Sequence, residues 1–201
     1  MLITFEGIDG SGKSTLIKLV GEYLHSKNYE YIITQEPFNL TIRDMIKSGS
    51  FNFYAELALF MADRAQHIEK IIMPNISKRT IVLCDRYIDS TIAYQFGGNG
   101  LDLNFINSLN KAFTFGIKPS RTYYLDLPVS EAMKRIAIRK NKDYDKYDKQ
   151  SYEFYSNIQV GYKQAIRFEP ERFYIINANQ SIERILKDTI DDLDTVLKGD
   201  K

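Results

Sequence analysis

Gly7-Ile8-Asp9-Gly10-Ser11-Gly12-Lys13-Ser14 decides how this chain is read. The stretch fits G-x-x-x-x-G-K-[ST] at every fixed position, between the apolar run Leu2-Ile3-Thr4-Phe5 and a helical pattern that begins at Lys13. Glycines let the backbone curl so that successive N–H groups point inward, a concave nest for phosphate oxygens at a helix N-terminus whose dipole also favours negative charge. Lys13 adds an ammonium for the outer phosphates, and the Ser14 hydroxyl is placed to ligate Mg²⁺. A bare match is also compatible with a Gly-rich turn ahead of a helix. The strand-loop-helix context points instead to a nucleoside triphosphate site made by Gly7, Asp9, Gly10, Ser11, Gly12, Lys13, Ser14 and Thr15.

Outward from this loop, apolar runs alternate with helical periodicity. Leu2–Phe5, Tyr29–Thr34, Thr80–Cys84, Arg121–Leu125 and Phe173–Ile176 read as strands. Helices are predicted over Lys13–Lys27, Ala55–Ile76, Leu103–Phe113, Val129–Arg139, Ser151–Glu169 and Ser181–Leu197. The alternation implies an α/β fold, a five-stranded parallel sheet flanked by helices on both faces, with ligands at the carboxyl ends of the strands. Turns are expected at Gly97-Gly98-Asn99-Gly100, Lys118-Pro119-Ser120 and Glu169-Pro170. One densely charged, weakly apolar segment, residues 139 to 149, stands between two helices and reads as a mobile solvated loop.

With 201 residues and 44% hydrophobic content, one domain over 1–201 with a well-filled core is expected. The net charge of +1 gives no basic surface for nucleic acid, so any anion site must be local. Cys84, the single cysteine, lies in Ile81-Val82-Leu83-Cys84 and reads as a buried reduced thiol, which points to the cytoplasm. No apolar run approaches the ~18 residues that span a membrane, and no signal-peptide pattern precedes the first strand.

Asp85 follows the third apolar run, where a phosphate-loop enzyme places the acid that holds Mg²⁺, usually through water; a strand-end acid in a turn is the plainer alternative. Arg86 comes next, projecting into the same crevice or standing as a surface cation. Within Ala55–Ile76 the inward stripe runs through Leu57, Phe60, Met61, Ala65, Ile68 and Ile72, and Arg64 falls inside it. Phe60 and Arg64 share a helix face, an arrangement that suits a flat heteroaromatic ligand bearing a carbonyl. Core packing for Phe60 and an ion pair with a carboxylate for Arg64 remain open at this point.

Phe5-Glu6-Gly7-Ile8-Asp9-Gly10-Ser11-Gly12-Lys13-Ser14-Thr15, Thr34-Gln35-Glu36-Pro37, Ala62-Asp63-Arg64-Ala65-Gln66-His67, Asp85-Arg86-Tyr87, Asp89-Ser90-Thr91-Ile92-Ala93-Tyr94-Gln95 and Asn177-Ala178-Asn179-Gln180-Ser181-Ile182 follow one another in this order. In that order they resemble the thymidylate kinases, a family of P-loop nucleotide kinases with a short lid. The resemblance implies transfer of the ATP γ-phosphoryl group to dTMP with Mg²⁺, giving dTDP and ADP. It implies that Phe60 stacks on thymine, Arg64 hydrogen-bonds its carbonyl oxygen, and Thr91 and Gln95 lie near the base. Asp9 would lie near the sugar 3′-hydroxyl and the metal, Arg43 and Arg86 would hold the acceptor phosphate, and Tyr94 would crowd the 2′ position. Glu36 would belong to the same substrate side, and Ser14, Asp85 and Asp9 to the metal. The family also implies homodimers that pair through helices.

Two departures from the family pattern stand out. Members without an arginine in the phosphate loop typically carry one in the lid, but the matching position of segment 139–149 holds Lys146. Lysine lacks the planar fork that clasps two oxygens, so Lys146, Arg139 or a neighbouring lysine is expected to supply the charge. Ahead of Glu36-Pro37 stands Gln35 in place of the usual arginine, and Phe38-Asn39-Leu40 replaces a Gly-Gly-Thr stretch in a shortened run to Arg43. The nearest rival is a deoxynucleoside kinase acting on a sugar hydroxyl, with Glu36 as base. A GTP-dependent switch protein would need Asn-Lys-x-Asp, and Asn141-Lys142-Asp143-Tyr144 ends in tyrosine.

Overall fold

A computed structural model of the protein describes residues 1–138 and 151–199. Among them are five strands, β1 Leu2–Glu6, β2 Tyr31–Gln35, β3 Ile81–Asp85, β4 Arg121–Asp126 and β5 Phe173–Asn177, all parallel in the order β2-β3-β1-β4-β5. Each strand runs one residue beyond its apolar run, and each added residue is polar: Glu6, Gln35, Asp85, Asp126 and Asn177. The ladder continues through these residues because their backbones still pair, as at Phe5 opposite Asp85 and Asp126 opposite Asn177. The carboxyl edge of the sheet is thus a row of polar groups, of which Gln35 and Asp85 line the cavities described below.

Alternation along the strands divides the core. Ile3, Phe5 and Leu83 face a large cluster with Leu16, Val20 and Leu24 of helix α1 (Lys13–Ser26) and Leu193 of helix α9 (Ile182–Gly199). Leu2, Val82 and Cys84 face a smaller one with Ile68, Ile72, Tyr87 and Ile88. The helices therefore cover both faces, as the alternation predicts. Cys84 is buried and its thiol is free, with burial pushing its pKa upward.

The remaining elements refine the sequence reading. Helix α2, Leu40–Lys47, has no counterpart in it: the element is short, buries only Ile46, and starts where the Asn39 side chain accepts from Ile42 N–H (3.1 Å). The predicted helix over 55–76 begins earlier, capped by Asn52, and is three pieces: α3 Phe53–His67, a π-helical turn Ile68–Ile72, and α4 Met73–Ser77. The short helix α5, Ile88–Thr91, runs into a π-helical stretch Ile92–Gly98, so the expected turn begins only after Gly98. Gly97 and Gly98 are inside that stretch because helix α8 (Tyr152–Phe168) lies against it. A Cβ on Gly161 of α8 would stand 2.6 Å from Ala93 Cα. Helix α6, Leu103–Phe113, has its predicted bounds, and α7 is Val129–Ile138. Arg139, Lys146 and the expected lid at 139–149 lie outside the described residues.

Candidate active site

The loop after β1 has the geometry its glycines permit. Gly7 has φ +146°, and a Cβ there would stand 2.8 Å from the Leu125 carbonyl oxygen, so both conformation and space exclude a side chain. Gly12 caps α1 in the left-handed region, which opens the loop onto the helix N-terminus. Lys13 turns its ammonium into the loop, donating to the carbonyls of Gly7 (2.9 Å) and Ile8 (3.2 Å). Burial, with Arg86 nearby, lowers its pKa to about 8. The Ser11 hydroxyl is buried and has no protein partner among the described residues.

Ser14 and Asp85 come together, the hydroxyl donating to Oδ2 at 2.9 Å, while Asp85 Oδ1 is buried without a partner among the described residues. Those residues hold no cluster of three or more His, Cys, Asp or Glu that would enclose a metal alone. One hydroxyl and one carboxylate beside a phosphate nest are a donor set that fits Mg²⁺, which keeps waters and takes substrate phosphate oxygens. Asp9 stands close by, joined to Arg86 (2.5 Å) and accepting from the Tyr94 hydroxyl (3.0 Å). Burial would raise its carboxyl, but the charges of Arg86 and Lys13 outweigh it and hold Asp9 below the usual range.

Two adjoining cavities open at this edge. One, about 160 Å³, is lined by Gly10, Gly12, Lys13, Ser14 and Asp85 among others. The other, about 280 Å³, is lined by all nine residues expected on the substrate side: Asp9, Glu36, Arg43, Phe60, Arg64, Arg86, Thr91, Tyr94 and Gln95. Asp9, Gln35, Glu36 and Arg86 line both, so they mark the junction.

Within the larger cavity the polar groups are interlocked. Arg64, 1 % exposed, donates through Nε and Nη2 to Glu36 Oε2 (3.0 and 2.6 Å), through Nη2 to Thr91 (2.9 Å) and through Nη1 to Asn110 of α6 (2.7 Å). The ion pair left open by the sequence therefore exists, and Arg64 still lines the cavity. Glu36 Oε1 meets His67 Nδ1 at 3.2 Å. Burial would raise Glu36, yet Arg64 and the His67 hydrogen bond hold its pKa below the ordinary value. A carboxylate so occupied is a poor proton acceptor, against the role of base in the rival reading. Gln95 donates to Glu56 (3.4 Å) and accepts from Asn99 (2.9 Å), which fixes its amide. Arg86 has φ +70° and stacks its guanidinium over the Tyr94 ring, 4.9 Å from the centroid.

The reading of single residues passed over Glu6, Asp63, His67, Ser90, Asn110 and Tyr162, all of which hold site residues in place. Glu6, Asp63, His67 and Ser90 lie inside the quoted motifs without a role, and only their neighbours gave a signal. Asn110 and Tyr162 sit in ordinary amphipathic helices, where no local pattern separates them from core residues.

A family model described as Thymidylate kinase matches residues 5–189. The chain belongs to the thymidylate kinase family. Among similar proteins, a thymidylate kinase of Desulfovibrio desulfuricans is 39% identical over 198 residues, covering 92% of this chain and 91% of that protein. One of Kosmotoga olearia is 36% identical over 204 residues, covering 98% and 97%, and one of Geotalea daltonii is 38% identical over 193 residues, covering 90% of each. The thymidylate kinase match takes in every residue that lines the two cavities.

Proposed function

We propose that this protein phosphorylates dTMP to dTDP with ATP and Mg²⁺, the triphosphate in the nest of Gly7–Thr15 and dTMP in the larger cavity. The observation that carries this reading is the junction: Asp9 and Arg86 line both cavities, so the two phosphate ends would meet between them. In the larger cavity thymine would lie against Phe60, with Arg64, Thr91 and Gln95 at its polar edge. Tyr94 and Asp9 would flank the sugar, and Arg43 and Arg86 would hold the acceptor phosphate.

A phosphate monoester has its second pKa at about 6 and is mostly dianionic at neutral pH, so no general base is needed. The work left to the protein is to align two polyanions and neutralise the charge between them. Lys13 would move from the loop carbonyls onto the outer phosphates, with Arg86 on the transferring group. Ser14 and Asp85, with Asp9 nearby, would hold Mg²⁺, which when bound neutralises and orients the triphosphate oxygens. Lys146 or Arg139, in a lid over 139–149 of a single kinase domain, would complete the positive shell.

We also read the protein as a homodimer of the cytoplasm. Phe53, Tyr54 and Phe105, exposed by 52, 64 and 43 %, form an apolar face on α3 and α6 that helix pairing would cover. No helix among the described residues is long and apolar enough to cross a membrane. A coupled ADP-release assay with dTMP, dUMP, ribosyl-TMP, AMP and thymidine tests the activity. Preferential turnover of dTMP is expected, and preferential turnover of thymidine or AMP overturns the reading. Sedimentation velocity tests the dimer, and a single monomeric species would remove it.

A further inference from the structure

Glu6 ends β1, directly before the phosphate loop, and is completely buried. A carboxylate in such a place requires compensation, yet Glu6 forms no ion pair of its own among the described residues. The neighbouring Asp89 is already paired with Arg172, at 2.6 and 2.7 Å. All the hydrogen bonds to the Glu6 carboxylate come instead from groups wrapped around Arg86. Oε1 accepts from the N–H of Tyr87 (2.7 Å) and of Ser90 (3.3 Å), and Oε2 from the hydroxyls of Ser90 (2.6 Å) and Tyr162 (3.0 Å).

Those two hydroxyls also accept from Arg86. Nη1 donates to Ser90 Oγ at 3.1 Å, to the Tyr162 oxygen at 3.2 Å and to the Gly7 carbonyl at 3.3 Å, while Nη2 donates to Asp9 and Tyr94. With each hydroxyl proton directed at Glu6, each oxygen presents lone pairs to the cation. The Tyr87 N–H held by Glu6 directly follows Arg86, whose φ of +70° is uncommon for a residue with a side chain. Backbone and side chain of Arg86 are thus both tied to one buried carboxylate.

We propose that Glu6 is a positioning residue for Arg86, holding the guanidinium at the junction of the two cavities through the Ser90 and Tyr162 hydroxyls and the Tyr87 N–H. The inference rests on Arg86 acting on the transferring phosphate. Glutamine has the same shape but carries an N–H₂. At position 6 it would donate to one of the hydroxyls and turn that hydroxyl's proton toward the cation. Burial, with the nearby Asp89 charge, raises the Glu6 pKa to about 7, so the carboxylate burdens the fold above that pH.

The test compares Glu6→Gln, Ser90→Ala, Tyr162→Phe, the Ser90→Ala/Tyr162→Phe double variant and Arg86→Ala in the full chain at pH 8. Thermal melts and separate kcat and KM values for ATP and dTMP are measured. Glu6→Gln is expected to melt at or above the parent temperature and keep the ATP KM within twofold, with kcat reduced at least tenfold. Each hydroxyl variant should lose less, and the double variant as much as Glu6→Gln. Full kcat in a folded Glu6→Gln, or a loss matched by a lower melting temperature and a higher ATP KM, overturns the proposal. Should Glu6→Gln not fold, full kcat in the double variant does so. Arg86→Ala with full kcat refutes the role of Arg86 and the proposal with it; Arg86→Ala inactive beside an active Glu6→Gln refutes Glu6 alone.

Discussion

Replacing Glu36 with glutamine separates the structural role of this carboxylate from any role as a base. Arg64 is 1 % exposed, and Glu36 Oε2 takes two of its donors at 3.0 and 2.6 Å. Glutamine keeps one acceptor oxygen but removes the countercharge, so the buried guanidinium is left with neutral acceptors only, that oxygen, Thr91 and Asn110. Losing one partner of a buried pair costs about 3–5 kcal/mol, and the oxygen retained by glutamine places this case near 3. For a chain of this size that is a fall of roughly 6–12 °C in melting temperature. The pKa of Glu36 is depressed, so its contribution is present above the ordinary carboxyl pKa of 4.5 and is lost as pH falls through the lower folded value. Melts of parent and Glu36→Gln should therefore differ at pH 7.5 and converge in acid. Because Asn110 and Thr91 still hold Arg64, the dTMP KM is expected to rise up to about tenfold with little change in kcat. A melting temperature unaltered at pH 7.5 would refute the buried-pair argument, and loss of kcat alone would return Glu36 to the chemistry.

Three further outcomes are expected. Gly7→Ala forces a side chain into φ +146° with its Cβ 2.8 Å from Leu125 O, so ATP binding measured by calorimetry should be abolished or the loop unfolded; parent-like affinity would refute the close approach. Tyr94→Ala should lower the preference for dTMP over its ribosyl analogue at least tenfold, and an unaltered kcat/KM ratio would exclude Tyr94 from sugar discrimination. Lys146→Ala is expected to reduce kcat at least tenfold with the dTMP KM nearly unchanged; a parent-like kcat removes Lys146 from the mechanism.

Much of this fold is legible because burial of a parallel sheet writes itself as apolar runs, and each of the five runs overlaps an observed strand. The same signal stops one residue short each time, because Glu6, Gln35, Asp85, Asp126 and Asn177 pair as strand yet carry the polarity of a site edge. Helix α2 escapes for a different reason: at eight residues it is shorter than the window over which helical periodicity can be read. In the site, Lys13, Ser14 and Asp85 were readable from local pattern and chemistry. Arg64 was readable as a buried cation needing a partner, but Glu36 lies 28 residues away, and only the fold pairs them. Asn110 and Tyr162 act across still larger separations, where a single sequence holds no trace of contact.

The segment after Pro37 shows how a departure in sequence can be absorbed by geometry. Asp63 of α3 accepts from the N–H groups of Phe38 (2.7 Å) and Asn39 (2.6 Å), and the Phe38 ring stacks on His67 at 5.0 Å. A short chain without glycines is thereby clamped to α3, and Asn39 is left to cap α2. Starting α2 there brings Arg43 back over the loop, where it donates to Pro37 O through Nε (3.2 Å) and Nη2 (2.5 Å). With its amide oxygen toward the guanidinium, Gln35 also accepts from Arg43 Nη1 at 3.0 Å. Gln35 carries no charge of its own, but as an acceptor it holds the charge of Arg43 at the cavity wall. Where the charge of Arg43 stands therefore depends on how it is oriented, and Asp63 orients it without touching it: Asp63 fixes the backbone, the backbone starts the helix, and the helix places the cation.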